Sequence, residues 1–137
     1  MPWTTPGDAN DSITINADPG GALGWQHEKL FLAQLVPIAT GAETVAAWPN
    51  GYFVGDLDPM QNLALARHLE SRFGLQLCAI GAGRLACVSD SPLDTGTATE
   101  AAADIVSLYA DAPSNASDRL AAWLSTHDTL LIRYTES

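Results

Sequence analysis

Histidine, cysteine and paired carboxylates are the side chains here that could do chemistry, and their spacing decides how far each can be taken. His27, His68 and His127 lie far apart and none falls into H-E-x-x-H, H-x-H or a Cys/His knuckle. His68 and Glu70 sit two residues apart on a helical pattern, so they point in different directions. Neither a metal nor any other cofactor is expected. No G-x-S-x-G nucleophile elbow occurs. Gly81-Ala82-Gly83 lacks the lysine of a phosphate loop and leads into a strand rather than a helix. Two carboxylate pairs, Asp56 with Asp58 and Asp90 with Asp94, are candidates for acid–base work. Capping and loop roles account for them equally well, because acids gather where helices begin.

Cys78 and Cys87 fall on two neighbouring strand patterns. If Ala82-Gly83 is a two-residue loop, Ile80 opposes Leu85 and Cys78 opposes Cys87. A cross-strand disulfide or redox pair is one reading. Two reduced thiols packing as small hydrophobes is the other, and a reducing compartment favours it. Trp48, Tyr52 and Phe53 add a local density of aromatic side chains, which serves either as core or as a partner-binding patch.

The elements that must position these residues centre on 56–90. Asp58 is a good N-cap, Pro59 suits the first helical position, and Gln61 completes a capping box. Leu65, Leu69 and Phe73 recur at four-residue spacing, and Gly74 then Leu75 form a left-handed stop. Strands are expected at 75–80 and 85–89. Cys78, Ile80, Leu85 and Cys87 would share one face, and both faces are apolar enough for a central, covered pair.

Upstream, residues 1–11 read as disordered, 12–16 as a short edge strand, and 23–36 as a helix ended by Pro37. Residues 44–56 read as a hairpin about Asn50-Gly51. Downstream, Thr97 with Glu100 suggests a capping box for a helix over 98–110, and Ser117 suggests the cap of another. That second helix buries Leu120, Trp123 and Leu124. Thr129–Tyr134 reads as a last strand lying inside the sheet. The expected fold is α+β: an antiparallel sheet of hairpins on about three helices, order ββαββααβ after an irregular N-terminal segment. The 137 residues fit a single domain, over 12–137.

Sixteen acidic residues against six basic ones give a formal net charge of −10. Nucleic acid and anionic membrane surfaces would be repelled, and a basic protein would be attracted. No basic region followed by an apolar core opens the chain, and no apolar run approaches the roughly 18 residues of a membrane span. A cytoplasmic location follows as the expectation.

Arg72-Phe73-Gly74, Leu77, Ile80-Gly81, Leu85 with Val88, Ala101-Ala102-Ala103, Tyr109-Ala110-Asp111 and Leu120 to Leu124 carry a resemblance. Over about residues 51–134 the chain resembles the uncharacterised bacterial domain-of-unknown-function family 4253. Members of that family often have Cys-Pro before the aspartate, where this chain has Tyr109-Ala110. The resemblance implies the fold of this portion and no catalytic residue. By association with small acidic bacterial proteins it also implies a role in neutralising a toxin.

The function expected is therefore an acidic non-enzymatic binding protein. Its basic partner would be, for example, a bacterial toxin domain, and Trp48, Tyr52, Asp56, Asp90 and Asp94 would form the binding face. The alternative is a small ligand-binding domain or enzyme with a pocket between the sheet and the N-terminal segment. A self-associating homo-oligomer is a third.

Overall fold

The computed structural model describes residues 35–47, 57–80, 83–110 and 112–133. The segments expected at 1–11 and 12–16, and all but two residues of the expected helix over 23–36, lie outside the described residues. Those two, Leu35 and Val36, are irregular rather than helical.

The observed elements are a 3-10 helix (Gly41–Ala47), α1 (Pro59–Phe73), β1 (Gln76–Ile80), β2 (Arg84–Val88), α2 (Thr95–Val106), α3 (Ala116–Leu124) and β3 (Thr129–Arg133). The fold is α+β, and the described residues form three α-helices and a three-stranded antiparallel sheet in the order β1-β2-β3. From α1 onward the order is the one read from the sequence. The hairpin expected over 44–56 is corrected at its start: residues 44–47 belong to the 3-10 helix, held by Glu43 and Thr44 bonding within the turn. Its remainder lies outside the described residues.

The start of α1 follows its local chemistry. Asp58 Oδ1 accepts the Gln61 N–H at 2.8 Å, and Gln61 Oε1 accepts the Asp58 N–H at 2.9 Å. Two otherwise orphaned donors are thereby satisfied reciprocally. At the other end Gly74 adopts φ 70°, and the Leu75 N–H reaches the Leu69 carbonyl at 3.2 Å. The buried Asn62 donates through Nδ2 to the Leu57 carbonyl at 2.9 Å, fixing the approach to the helix.

The hairpin departs from the expected register. Ile80 opposes Leu85 and Ala79 opposes Ala86, but Leu77, not Cys78, then opposes Cys87. Cys78 is the extra residue of a β-bulge, and its thiol donates to the Ala86 carbonyl at 3.4 Å. A bulge reverses the alternation beyond it. Leu77 therefore turns onto the face shared with Leu85 and Cys87, and Cys78 is exposed.

Gly41 lies against this point. A Cβ there would collide with the Leu77 carbonyl oxygen, so only glycine lets the 3-10 helix approach β1 so closely.

The main core gathers Leu69, Phe73, Leu75, Leu77, Leu85, Cys87, Ile105, Leu120, Leu124, Leu130 and Ile132. Each fully buried leucine or isoleucine of this set is worth ~1.5–3 kcal/mol of transfer free energy. Ala86 and Leu131 are buried on the opposite sheet face, outside that cluster. The central position falls to β2. Among the described residues β1 and β3 flank it.

Two caps also differ from expectation. α2 begins at Thr95, one turn earlier than the Thr97–Glu100 pattern suggests, because Asp94 caps it. α3 follows Asn115 and buries Ala116, Leu120 and Leu124, with no side-chain bond at its cap. Trp123 is only half-buried; it donates through Nε1 to the Thr129 carbonyl at 2.9 Å and stacks on His127 at 3.5 Å.

Candidate functional site

Helices α1 and α2 run side by side in opposite senses, and two pairs of side chains bridge them. His68 Nε2 lies 2.8 Å from Asp104 Oδ2, and Arg72 lies 3.3 Å from Glu100. His68 and Arg72 are four apart on α1, as Glu100 and Asp104 are on α2, so the bridges form rungs one turn apart. All four side chains are substantially exposed. Phe73 supports the rungs from beneath, edge-on to the His68 ring at 5.6 Å and under the Arg72 guanidinium at 5.5 Å.

Beyond the His68 rung the two helices leave an open groove of about 380 Å³. Leu57, Leu65, Leu69, Ile105 and Leu108 give it an apolar floor, and Ala64 and Ser107 stand on its two walls. His68 and Asp104 close one end. The polar groups at this mouth are occupied. The Ser107 hydroxyl donates to the Asp104 backbone carbonyl at 2.6 Å, and Gln61 Oε1 serves the helix cap. Among the described residues the His68–Asp104 pair thus has no hydroxyl or thiol bonded to it as a nucleophile. The groove lies between two helices, and the pocket expected between the sheet and the N-terminal segment falls on residues outside those described.

At the opposite end of the seam is a shallow depression of about 460 Å³, lined by Phe73, Gly74, Asp90, Pro92, Asp94 and Thr97 among others. Two of the five residues expected to form the binding face, Asp90 and Asp94, meet here. Trp48, Tyr52 and Asp56 lie outside the described residues. Asp94 has a local duty: Oδ1 accepts the Thr97 N–H at 3.1 Å and Oδ2 accepts the Thr97 hydroxyl at 2.6 Å. Those bonds, the hydroxyl first, hold its carboxyl below the ordinary value of 3.8. Asp128 stands beside the same loop, since its carbonyl accepts the Ser89 N–H at 2.8 Å. Among the described residues no basic side chain lines the depression. On α1, Arg67 and Arg72 are directed at Glu43 and Glu100.

The pairing of His68 with Asp104 was missed from sequence because the two are 36 positions apart. The available signal was the matched four-residue spacing of two cationic and two acidic side chains on consecutive helices.

Cys78 and Cys87 are both free. Among the described residues no group of three His, Cys, Asp or Glu side chains is placed to hold a metal ion, and no helix is long and apolar enough to cross a membrane. No family model, curated protein or solved structure matches the chain.

Proposed function

We propose that the protein is an acidic, non-enzymatic binding protein that occludes a basic partner, such as a bacterial toxin domain. The resemblance to domain-of-unknown-function family 4253 belongs to this proposal. One observation carries it: Asp90 and Asp94 line a single surface depression, with no basic side chain among its described lining residues. In a chain of net charge −10 such a surface steers and orients a cationic partner, raising the association rate more than the final affinity. Asp94 already accepts two hydrogen bonds from Thr97, so the Asp90 carboxylate bears more of the attraction.

The ligand-pocket reading has the apolar groove in its favour. It is the weaker of the two, because the polar groups at the mouth are bonded to one another or to backbone.

The test is capture of partners from the protein's own organism on the immobilised full chain, compared with an Asp90→Lys variant. A basic protein retained by the first and lost by the second supports the reading, as does loss of that protein's activity in the complex. Recovery of no basic partner by the unaltered chain removes its support.

A further inference from the structure

The acidic depression and the apolar groove are two ends of one track. Thr97, Glu100 and Asp104 recur at three- and four-residue intervals along α2, with Asp94 at its N-cap and Leu108 in the turn just beyond its end, and so follow one stripe. Gln61, Leu65, His68 and Arg72 form the facing stripe on α1. The rungs lie between the two ends. From Asp94 to Ile105 the distance along the axis is about 16 Å, at a rise of about 1.5 Å per residue. That is three helical turns. The surface therefore changes from acidic to apolar over the length of a short helix, with Asp104 at the boundary.

We propose that this seam is the docking track for a basic amphipathic helix of the partner, an inference that rests on the function proposed above. The helix lays its apolar side chains into the groove over Leu65, Leu69, Ile105 and Leu108. Its lysines and arginines, two to three turns away, reach Asp90 and the outer edge of the Asp94 cap. Charge complementarity selects this occupant: beyond the paired rungs an acidic helix would meet Asp90 and the net charge of −10 with repulsion. The groove suits a helix because its walls stand on both sides of an open apolar floor, the arrangement that takes anchors spaced three and four residues apart. Asp104 can exchange His68 for a cation of the incoming helix, since that pair is exposed.

The probes are three synthetic peptides of 14 residues. One has a leucine stripe at helical spacing with lysine elsewhere. The second has glutamate in place of lysine. The third has the composition of the first with its leucines scattered. Binding to the full chain is read by fluorescence anisotropy at low and moderate salt.

The striped lysine peptide should bind and the glutamate peptide should not. Ala64→Trp and, independently, Ser107→Trp fill the groove from opposite walls at exposed positions, and each should weaken binding by about tenfold or more. Unchanged thermal midpoints would show that both variants fold. Asp90→Lys should weaken binding more at low salt than at moderate salt.

Equal binding of the striped and scattered lysine peptides, or equal binding to Ala64→Trp and the unaltered chain, overturns the track and leaves a basic partner on the acidic surface intact. Absence of binding by any lysine peptide overturns the track as well. Capture of a basic protein by the immobilised chain would then still decide the broader reading separately.

Discussion

His68 on α1 and Asp104 on α2 meet at 2.8 Å, one turn from the 3.3 Å contact of Arg72 with Glu100. These rungs are the principal polar link between two helices whose remaining contact is the apolar floor beneath. Exposed ion pairs contribute little because water screens them and both side chains lose freedom. A double-mutant cycle of His68→Ala and Asp104→Ala, read by urea unfolding, should give a coupling of roughly 0.3–1 kcal/mol that shrinks in added salt. A coupling several times larger would mean that the seam is far less solvated than the exposure of its side chains indicates.

The cap at Asp94 gives a pH dependence of defined sign. Its carboxyl is held below 3.8 by the Thr97 hydroxyl and N–H, so the folded state binds this proton less readily than the unfolded chain does. The stabilisation is complete above the ordinary carboxyl value and is lost as pH falls through the lowered one. Asp94→Asn keeps a capping oxygen and removes only the charge. The urea midpoints of Asp94→Asn and the unaltered chain should differ at neutral pH and converge as pH falls below the lowered carboxyl value. Asp94→Ala should be the least stable of the three at neutral pH, since it also orphans the Thr97 N–H.

What the sequence conveyed about this fold was local. Asp58, Pro59 and Gln61 specify a helix start with side chains that bond to backbone within three residues, and Gly74 specifies its end. Neither needs knowledge of the rest of the chain. The α1–hairpin–α2–α3–strand order was legible for the same reason.

The bulge at Cys78 was not: it sits where Gly41, from a segment some 35 residues upstream, abuts the Leu77 carbonyl, a contact no local pattern records. The start of α2 was misplaced because Thr97 and Asp94 are both competent caps. The earlier one wins by using Thr97 itself as its partner, which frees Glu100 for Arg72. Of the binding face, Asp90 and Asp94 are legible as a pair from their close spacing. Their convergence with the end of α1 depends on how α2 folds back, and no residue spacing records that.

The bulge makes the two cysteines unequal. Cys78 is exposed and Cys87 is 1% exposed. Burial pushes the Cys87 thiol up to about 12, and the nearby Cys78 adds to the rise. Desolvation also raises Cys78, partly opposed by a backbone hydrogen bond. Exposure governs whether a reagent can reach the sulfur, and desolvation governs how much thiolate is there to react. The native protein should therefore react with Ellman's reagent at one thiol, slowly at neutral pH and faster as pH rises. Two thiols should appear after unfolding without reductant. Finding none in the unfolded chain would establish a disulfide and displace the bulged register.

Two glycines test two different constraints on the backbone. At Gly74 φ is 70°, and nothing lies within 4 Å of where a Cβ would stand. Gly74→Ala therefore meets only the intrinsic cost of the left-handed region, about 1–2 kcal/mol, with the surrounding packing unchanged. At Gly41 the clash is with the carbonyl of Leu77, the residue beside the bulge. Backbone cannot swing aside as a side chain does, so Gly41→Ala must displace the 3-10 helix from β1 or shift the bulge. Its cost should exceed that of Gly74→Ala in urea unfolding. It should also change the reactivity of the Cys78 thiol, which Gly74→Ala should leave alone. If both variants lose the same stability and Cys78 reacts identically in each, the close approach of Gly41 does not hold the bulge in place.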